Sequence, residues 1–231
     1  MQDNSKRGLK IFLIKEFISL TLVGLSIFLP AGSLYWLNGW LYYGFLCLAK
    51  ILGNLWLFRI QPGLLIQRAG GTRRNTKGWD FVLAPLVAYS SLYTSIVAGL
   101  DYRSGWSSFD FAWLPYAGLS ILVLCTWLIF WAMGVNPFFD AMVRIQEERG
   151  HQVISQGPYQ FVRHPGYLGA VLLLVAIPLL LDSVWAFIPA LVGIVAVILR
   201  TALEDRTLQA ELPGYKEYAE KTRDKLFPNI W

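Results

Sequence analysis

Residues 157–167, Gly-Pro-Tyr-Gln-Phe-Val-Arg-His-Pro-Gly-Tyr, form a polar, kinked segment that leads straight into a long apolar run. At the far end of the next apolar run comes Arg200-Thr-Ala-Leu-Glu204-Asp205. Two apolar spans in succession thereby bring a His-Pro-x-Tyr element and an Arg/Glu element to the same face of a membrane. Charged groups are costly at a bilayer boundary and usually have a task there. The pattern predicts the active site of a membrane enzyme.

Several chemistries do not fit the remaining residues. His151 and His164 are the only histidines. A metal site needs three or four ligands at suitable spacing, and Glu147, Glu148 and Glu204 complete no such set, so no metal is expected. There is no GxSxG, no Ser-His-Asp arrangement, no GxGxxG following a strand and no P-loop. A nucleotide-like cofactor would therefore have to be held by helices and loops at the membrane. The plainer reading of His164 is a polar residue at a helix start, fixed by Pro165.

The elements that position these residues follow from composition. The chain has 231 residues, of which 55% are hydrophobic and 15% charged, with a mean hydropathy of +0.47. Soluble domains carry about 25% charged residues, and a membrane span needs about 20 mostly apolar residues. Apolar runs near 11–30, 36–58, 80–100, 111–134, 166–182 and 184–203 predict an all-α integral membrane protein with about six transmembrane helices. The last two runs are separated only by Asp182-Ser183 and read as a tight helical hairpin. The organisation expected is four N-terminal spans over 1–134, with a basic loop at 59–79, followed by a core over 135–231.

The net charge of +5 matters less than its placement. Lys6, Arg7, Lys10, Arg59, Arg68, Arg73, Arg74, Lys77, Arg144, Arg149, Arg163 and the basic residues from Arg206 to Lys225 fall on one side of the predicted spans. The loops on the other side hold only Arg103. That bias is the positive-inside signature, which places both termini and the site in the cytoplasm. A cysteine at Ser108 is then expected to react from outside, and one at Thr76 only after permeabilisation. The charge reads as topology, so no nucleic-acid partner is expected. Cys47 and Cys125 fall within spans and read as packed thiols.

Within the basic loop, Pro62 and Gly70-Gly71 read as helix breakers. Leu64, Leu65 and Ile66 predict a segment lying in the interface, with Trp79 as an aromatic anchor. In the tail, Leu208, Leu212, Tyr215 and Tyr218 recur at helical spacing around a break at Pro213-Gly214. This apolar stripe needs a partner, and 144–165 is the nearest candidate.

A larger series then stands out: Gln146; His151-Gln-Val-Ile154; Gly157-Pro-Tyr159; Arg163-His-Pro-Gly-Tyr167 with Gly169; Arg200-x-x-x-Glu204-Asp205-x-x-Leu208; Pro213-Gly-Tyr-x-x-Tyr218; Arg223 and Pro228. In this order and spacing it resembles the isoprenylcysteine carboxyl methyltransferase family and its prokaryotic relatives, within a wider group that includes the membrane phospholipid methyltransferases. The region from Pro62 to Trp79-Asp80 also resembles the bacterial branch, more weakly. The resemblance implies an S-adenosylmethionine-dependent methyltransferase with a cytoplasmic cofactor-binding cap over the C-terminal half. It implies cofactor contacts from Gln146, His151, Gln152, Val153, Ile154, Tyr159, His164, Pro165, Gly166, Tyr167 and Glu204. Arg200 matches the arginine that faces the substrate carboxylate, and the implied partners are a lipophilic or prenylated acceptor and membrane lipid. Around 146–151 the loop is shorter than in the eukaryotic enzymes.

The residue chemistry agrees with this. Tyr159 and Tyr167 offer π-faces to a sulfonium cation, and the helix start at Pro165 favours an anion. Glu204 can accept from an amino group or a ribose hydroxyl. A carboxylate nucleophile has an ordinary pKa of about 3.5 and needs no general base, so positioning carries the reaction, with Arg200 as a bidentate fork. The bland alternative is that Arg200 and Glu204 merely pair at i,i+4. Rival functions are methylation of a phospholipid amine or a small thiol, a sterol-reductase-like enzyme using a nicotinamide cofactor, and a non-catalytic transporter or sensor. Transporter sites sit at mid-membrane in broken helices, where Lys15, Glu16 and Lys50 are expected to be neither central nor paired.

Overall fold

The structure is a computed structural model that describes residues 2–70, 75–107 and 111–231. Gly71, Arg73 and Arg74 of the basic loop lie outside the described residues, as does Ser108. The elements are α1 (Gln2–Ala31), α2 (Leu37–Ile60), α3 (Pro62–Gly70), α4 (Asp80–Ser104), α5 (Leu114–Val135), α6 (Pro165–Leu180), α7 (Phe187–Glu211) and α8 (Tyr215–Lys221). Among the described residues there is no strand. Helices satisfy their own backbone groups, which lipid cannot do.

Among the described residues, five stretches are long and apolar enough to cross a membrane: Gly8–Ala31 and the whole of α2, α4, α5 and α7. The apolar run at 166–182 forms α6, which is shorter at 16 residues. It packs mainly against α5, and α7 packs against α4. Small residues permit this close packing. A Cβ on Gly118 of α5 would stand 2.4 Å from the backbone nitrogen of Leu180, and one on Gly99 of α4 would stand 2.8 Å from the carbonyl of Ile27 in α1. The turn between α6 and α7 is anchored by Asp101 of α4, whose carboxylate accepts from Ser183 Oγ at 2.5 Å and from Ser107 N–H at 2.9 Å.

Pro62 interrupts the helical run as expected: α2 ends at Ile60, and Pro62 then opens α3, as its fixed φ and missing N–H allow at a helix start. Two other local expectations are corrected. Leu64 and Leu65 are buried with Leu57 and Met133, and α3 packs against α1 and α2, so these two side chains face the bundle rather than an interface; the side chain of Ile66 lies outside the described set. In the first two spans, Lys50 pairs with Glu16 at 2.9 Å and also donates to Ser19. Lipid offers a lone charge no solvation, which favours the pairing. Cys47 and Cys125 are free thiols.

The tail folds back beside the site. α7 continues past its apolar run to Glu211, and the chain turns through Pro213 and Gly214, whose φ of +81° suits glycine. Leu212, Tyr215 and Tyr218 then pack with Ala132, Tyr159, Val153 and Ile154. The apolar stripe thus finds the partner segment its spacing called for.

Candidate functional site

The site grows from the start of α6. Pro165 occupies the first helical position, and the carbonyl of His164 accepts the N–H groups of Tyr167 and Leu168 at 3.0 and 3.1 Å. The His164 and Tyr167 rings stack at 5.7 Å with 22° between their planes. From α7, Arg200 and Glu204 project on one face, as residues four apart must. Tyr167 Oη donates to Glu204 Oε2, and the Arg200 guanidinium lies 5.4 Å from the centre of the Tyr167 ring.

Arg200 and Glu204 are not each other's partners. The Arg200 fork is taken by Asp80, the first residue of α4: Nε donates to Oδ1 at 2.7 Å and Nη2 to Oδ2 at 2.9 Å. Nη2 also donates to the Ala141 carbonyl at 2.6 Å. Asp80 is 0% exposed and accepts a third bond from Val143 N–H at 2.6 Å. This corrects the expected bidentate role. A guanidinium buried at this depth needs a carboxylate, and Asp80 supplies it. Nη1 remains, with no hydrogen bond among the described residues.

A cavity of about 310 Å³ opens in front of these groups. All twelve expected site residues line it: Gln146, His151, Gln152, Val153, Ile154, Tyr159, His164, Pro165, Gly166, Tyr167, Arg200 and Glu204. Their surroundings differ. Gln146 is buried, and its side chain braces the wall, accepting from Gln67 at 2.8 Å and Arg149 at 2.6 Å and donating to the Phe138 carbonyl at 2.7 Å. His151 Nδ1 accepts the Gln146 N–H at 3.3 Å, so its neutral ring carries the proton on Nε2. Burial, then the nearby Arg144 and Arg149 charges, push the His151 pKa down to about 4. At neutral pH it is a donor, not a cation. Tyr159 Oη accepts from Asn136 and its carbonyl accepts from Tyr218. Burial pushes the Tyr159 phenol well up, so it stays protonated.

Backbone groups matter as well. Among the described residues, the peptide N–H and C=O groups of Gln152, Val153 and Ile154 make no hydrogen bond with backbone or side chain. These three residues line the cavity. Together with the Glu204 carboxylate, the tyrosine rings and the first turn of α6, this donor and acceptor set suits a ligand with cationic, anionic and heterocyclic parts. The cavity volume falls within the range of small-molecule sites.

Several contributors lie outside the expected set. Asp80 stands behind the lining, where the available signal was its position as the lone acidic residue between Arg59 and the third apolar run. Arg163 grips Asp205 through Nε at 2.8 Å and Nη2 at 3.0 Å, while its Nη1 reaches the carbonyls of Thr222 and Arg223, both at 2.8 Å. His164 Nε2 also faces Asp205, at 3.3 Å. Ala84, Val87 and Ala88 of α4 and Ala170 of α6 form an apolar extension of the cavity, and Ala88 is exposed on the outside of the bundle. Their small size gave no signal in sequence.

Residues 113–212 match the family model of PEMT, phospholipid methyltransferase. That stretch runs from the start of α5 to the end of α7 and includes all twelve expected residues, but not Asp80. No curated protein matches the chain. The family match points to a membrane methyltransferase, and the apolar helices point to a multi-pass membrane protein. Methyltransferases of this type generally use S-adenosylmethionine.

Proposed function

We propose that this chain is a multi-pass membrane methyltransferase that binds S-adenosylmethionine in the cavity at the start of α6 and methylates a lipophilic acceptor at the cytoplasmic face. The observation that carries this reading is the convergence of His164, Tyr167, Arg200 and Glu204, from two apolar helices, on one cavity within the stretch matched by the family model.

S-adenosylmethionine supplies an electrophilic methyl group on a sulfonium. The residues that would hold it are Glu204, facing an ammonium or ribose hydroxyl, the peptide groups of 152–154, the first turn of α6 for a carboxylate, and the tyrosine rings for positive charge. The protein's part is positioning and exclusion of water. Arg200 Nη1 presents two N–H donors to the acceptor headgroup, and the Ala84–Ala88 extension suits its hydrocarbon chain. His151 holds its proton on Nε2 and so offers a donor rather than a base.

On the first reading the acceptor is a carboxylate, as in isoprenylcysteine carboxyl methyltransferases, because a carboxylate needs no deprotonation. A second reading, a phospholipid amine, is favoured by one observation: Asp80 already balances the Arg200 charge, so the guanidinium does not repel a basic headgroup. Calorimetry with S-adenosylhomocysteine tests the cofactor. Wild type should bind, NADPH should not, and Glu204→Ala should weaken binding about tenfold. Labelled methyl transfer to a farnesylcysteine and to phosphatidylethanolamine vesicles separates the acceptors. Arg200→Ala should abolish transfer and keep S-adenosylhomocysteine affinity. Binding of NADPH in place of S-adenosylhomocysteine would overturn the proposal.

A further inference from the structure

We propose that Asp80 is a specificity-determining residue: by holding the fork of Arg200 from outside the cavity, it sets the charge that the acceptor headgroup can carry. This rests on the methyltransferase reading only in taking Arg200 as the group that meets the acceptor.

Asp80 does not line the cavity, whereas Arg200 does. The carboxylate is fully buried and takes Nε and Nη2 of Arg200 together with the Val143 N–H. The opposite side of Nη2 is fixed by the Ala141 carbonyl. The guanidinium is thereby held in one orientation on the cavity lining, with Nη1 left outside these hydrogen bonds and its charge balanced by a group outside that lining. An uncompensated guanidinium in this setting is a strong anion anchor. With Asp80 in place it offers hydrogen-bond donors without a net positive field, and Glu204 one turn on carries the remaining negative charge of the cluster. Such a wall accepts neutral or zwitterionic headgroups and grips simple anions weakly. Asp80 also lies outside residues 113–212. The charge preference is therefore imposed by the N-terminal half on a site whose lining comes mainly from the C-terminal half.

A purely structural role makes a different forecast. Asparagine has nearly the shape of aspartate, so if Asp80 were only a brace, Asp80→Asn would lower stability without altering the preference between acids and amines. The test uses the full chain in detergent micelles with S-adenosylhomocysteine present. It measures binding of dodecanoate and dodecylammonium, which share a tail and differ in headgroup charge. Asp80→Asn should raise the affinity ratio in favour of dodecanoate by about tenfold, and Asp80→Asn combined with Arg200→Gln should lose that gain. An unchanged ratio in folded Asp80→Asn protein, or a gain that survives in the double variant, would overturn the proposal. If Asp80→Asn does not fold, Arg200→Gln alone decides. Leaving Asp80 uncompensated must move the ratio towards dodecylammonium, and no movement overturns the idea. Failure of wild type to bind S-adenosylhomocysteine would instead count against the cofactor reading, with the probe ratio still readable.

Discussion

Arg163 and Arg200 are both buried, both grip an aspartate through Nε and Nη2, and both stand beside the same cavity, yet they end differently. Arg163 Nη1 is taken up by carbonyls of the tail, so every edge of that guanidinium is tied into the fold. Arg200 Nη1 has no such partner among the described residues. One ion pair is closed and the other open. The fork chemistry is identical, so the third nitrogen decides which arginine is wholly tied into the fold and which one keeps unbonded donors.

The largest effect should come from breaking the closed pair. Arg163→Ala leaves Asp205 with less compensation and orphans the carbonyls of Thr222 and Arg223, which should cost about 3–5 kcal/mol. Arg200→Ala also exposes a buried aspartate, but it orphans only the Ala141 carbonyl. Its stability loss should be smaller, by about 1–3 kcal/mol for the additional unsatisfied groups. Denaturant melts of both variants in the same detergent check this, and equal losses would remove the distinction between the pairs.

A smaller effect sharpens the closed side. Tyr218 Oη donates to the Tyr159 carbonyl at 2.6 Å, linking α8 to the cavity wall. Tyr218→Phe should cost about 1 kcal/mol and raise the rate of proteolysis in the tail.

At neutral pH the smallest effect belongs to the open side, and it grows as pH falls. The folded His151 pKa of about 4 lies below its ordinary 6.5. Between these values the unfolded chain binds the extra proton, so stability rises with pH across this window. The penalty is absent above the ordinary value, grows as pH falls through the window, and levels off below the folded value. In thermal melts, His151→Gln should flatten that part of the pH dependence relative to wild type. A slope unchanged by the substitution would place the titration elsewhere.

What the sequence disclosed follows the same division. The apolar runs and the 157–167 series are local signals, and they located the long helices and the polar start of α6, whereas Gln146 and His151 to Ile154 were expected only through the family resemblance. The tail stripe of Leu212, Tyr215 and Tyr218 correctly demanded a partner. The pairings were harder to read, because they join distant segments. Asp80 meets Arg200 across 120 residues, and spacing cannot register that. Instead, the i,i+4 rule pointed to Glu204. Likewise, Leu64 and Leu65 read as an interfacial surface because their burial depends on α5, and Lys50 read as lone because Glu16 lies on another helix. Small residues such as Ala84 and Ala88 carry no chemistry in a sequence, although they shape the apolar end of the cavity.

The brevity of α6 has its own consequence. Sixteen residues span about 24 Å, against about 30 Å for a hydrocarbon core. Its Leu180 end is held next to the turn that Asp101 anchors at the opposite face. Counted from Phe187 at that same face, Arg200 lies only about 20 Å along α7. With Leu180 and Phe187 at one face of a hydrocarbon core of that thickness, the cavity floor would lie below the opposite headgroup plane. On the methyltransferase reading, turnover is expected to depend on bilayer thickness. In a thin membrane a lipid headgroup reaches Arg200 with little displacement, whereas in a thick one it must sink or the bilayer must pinch.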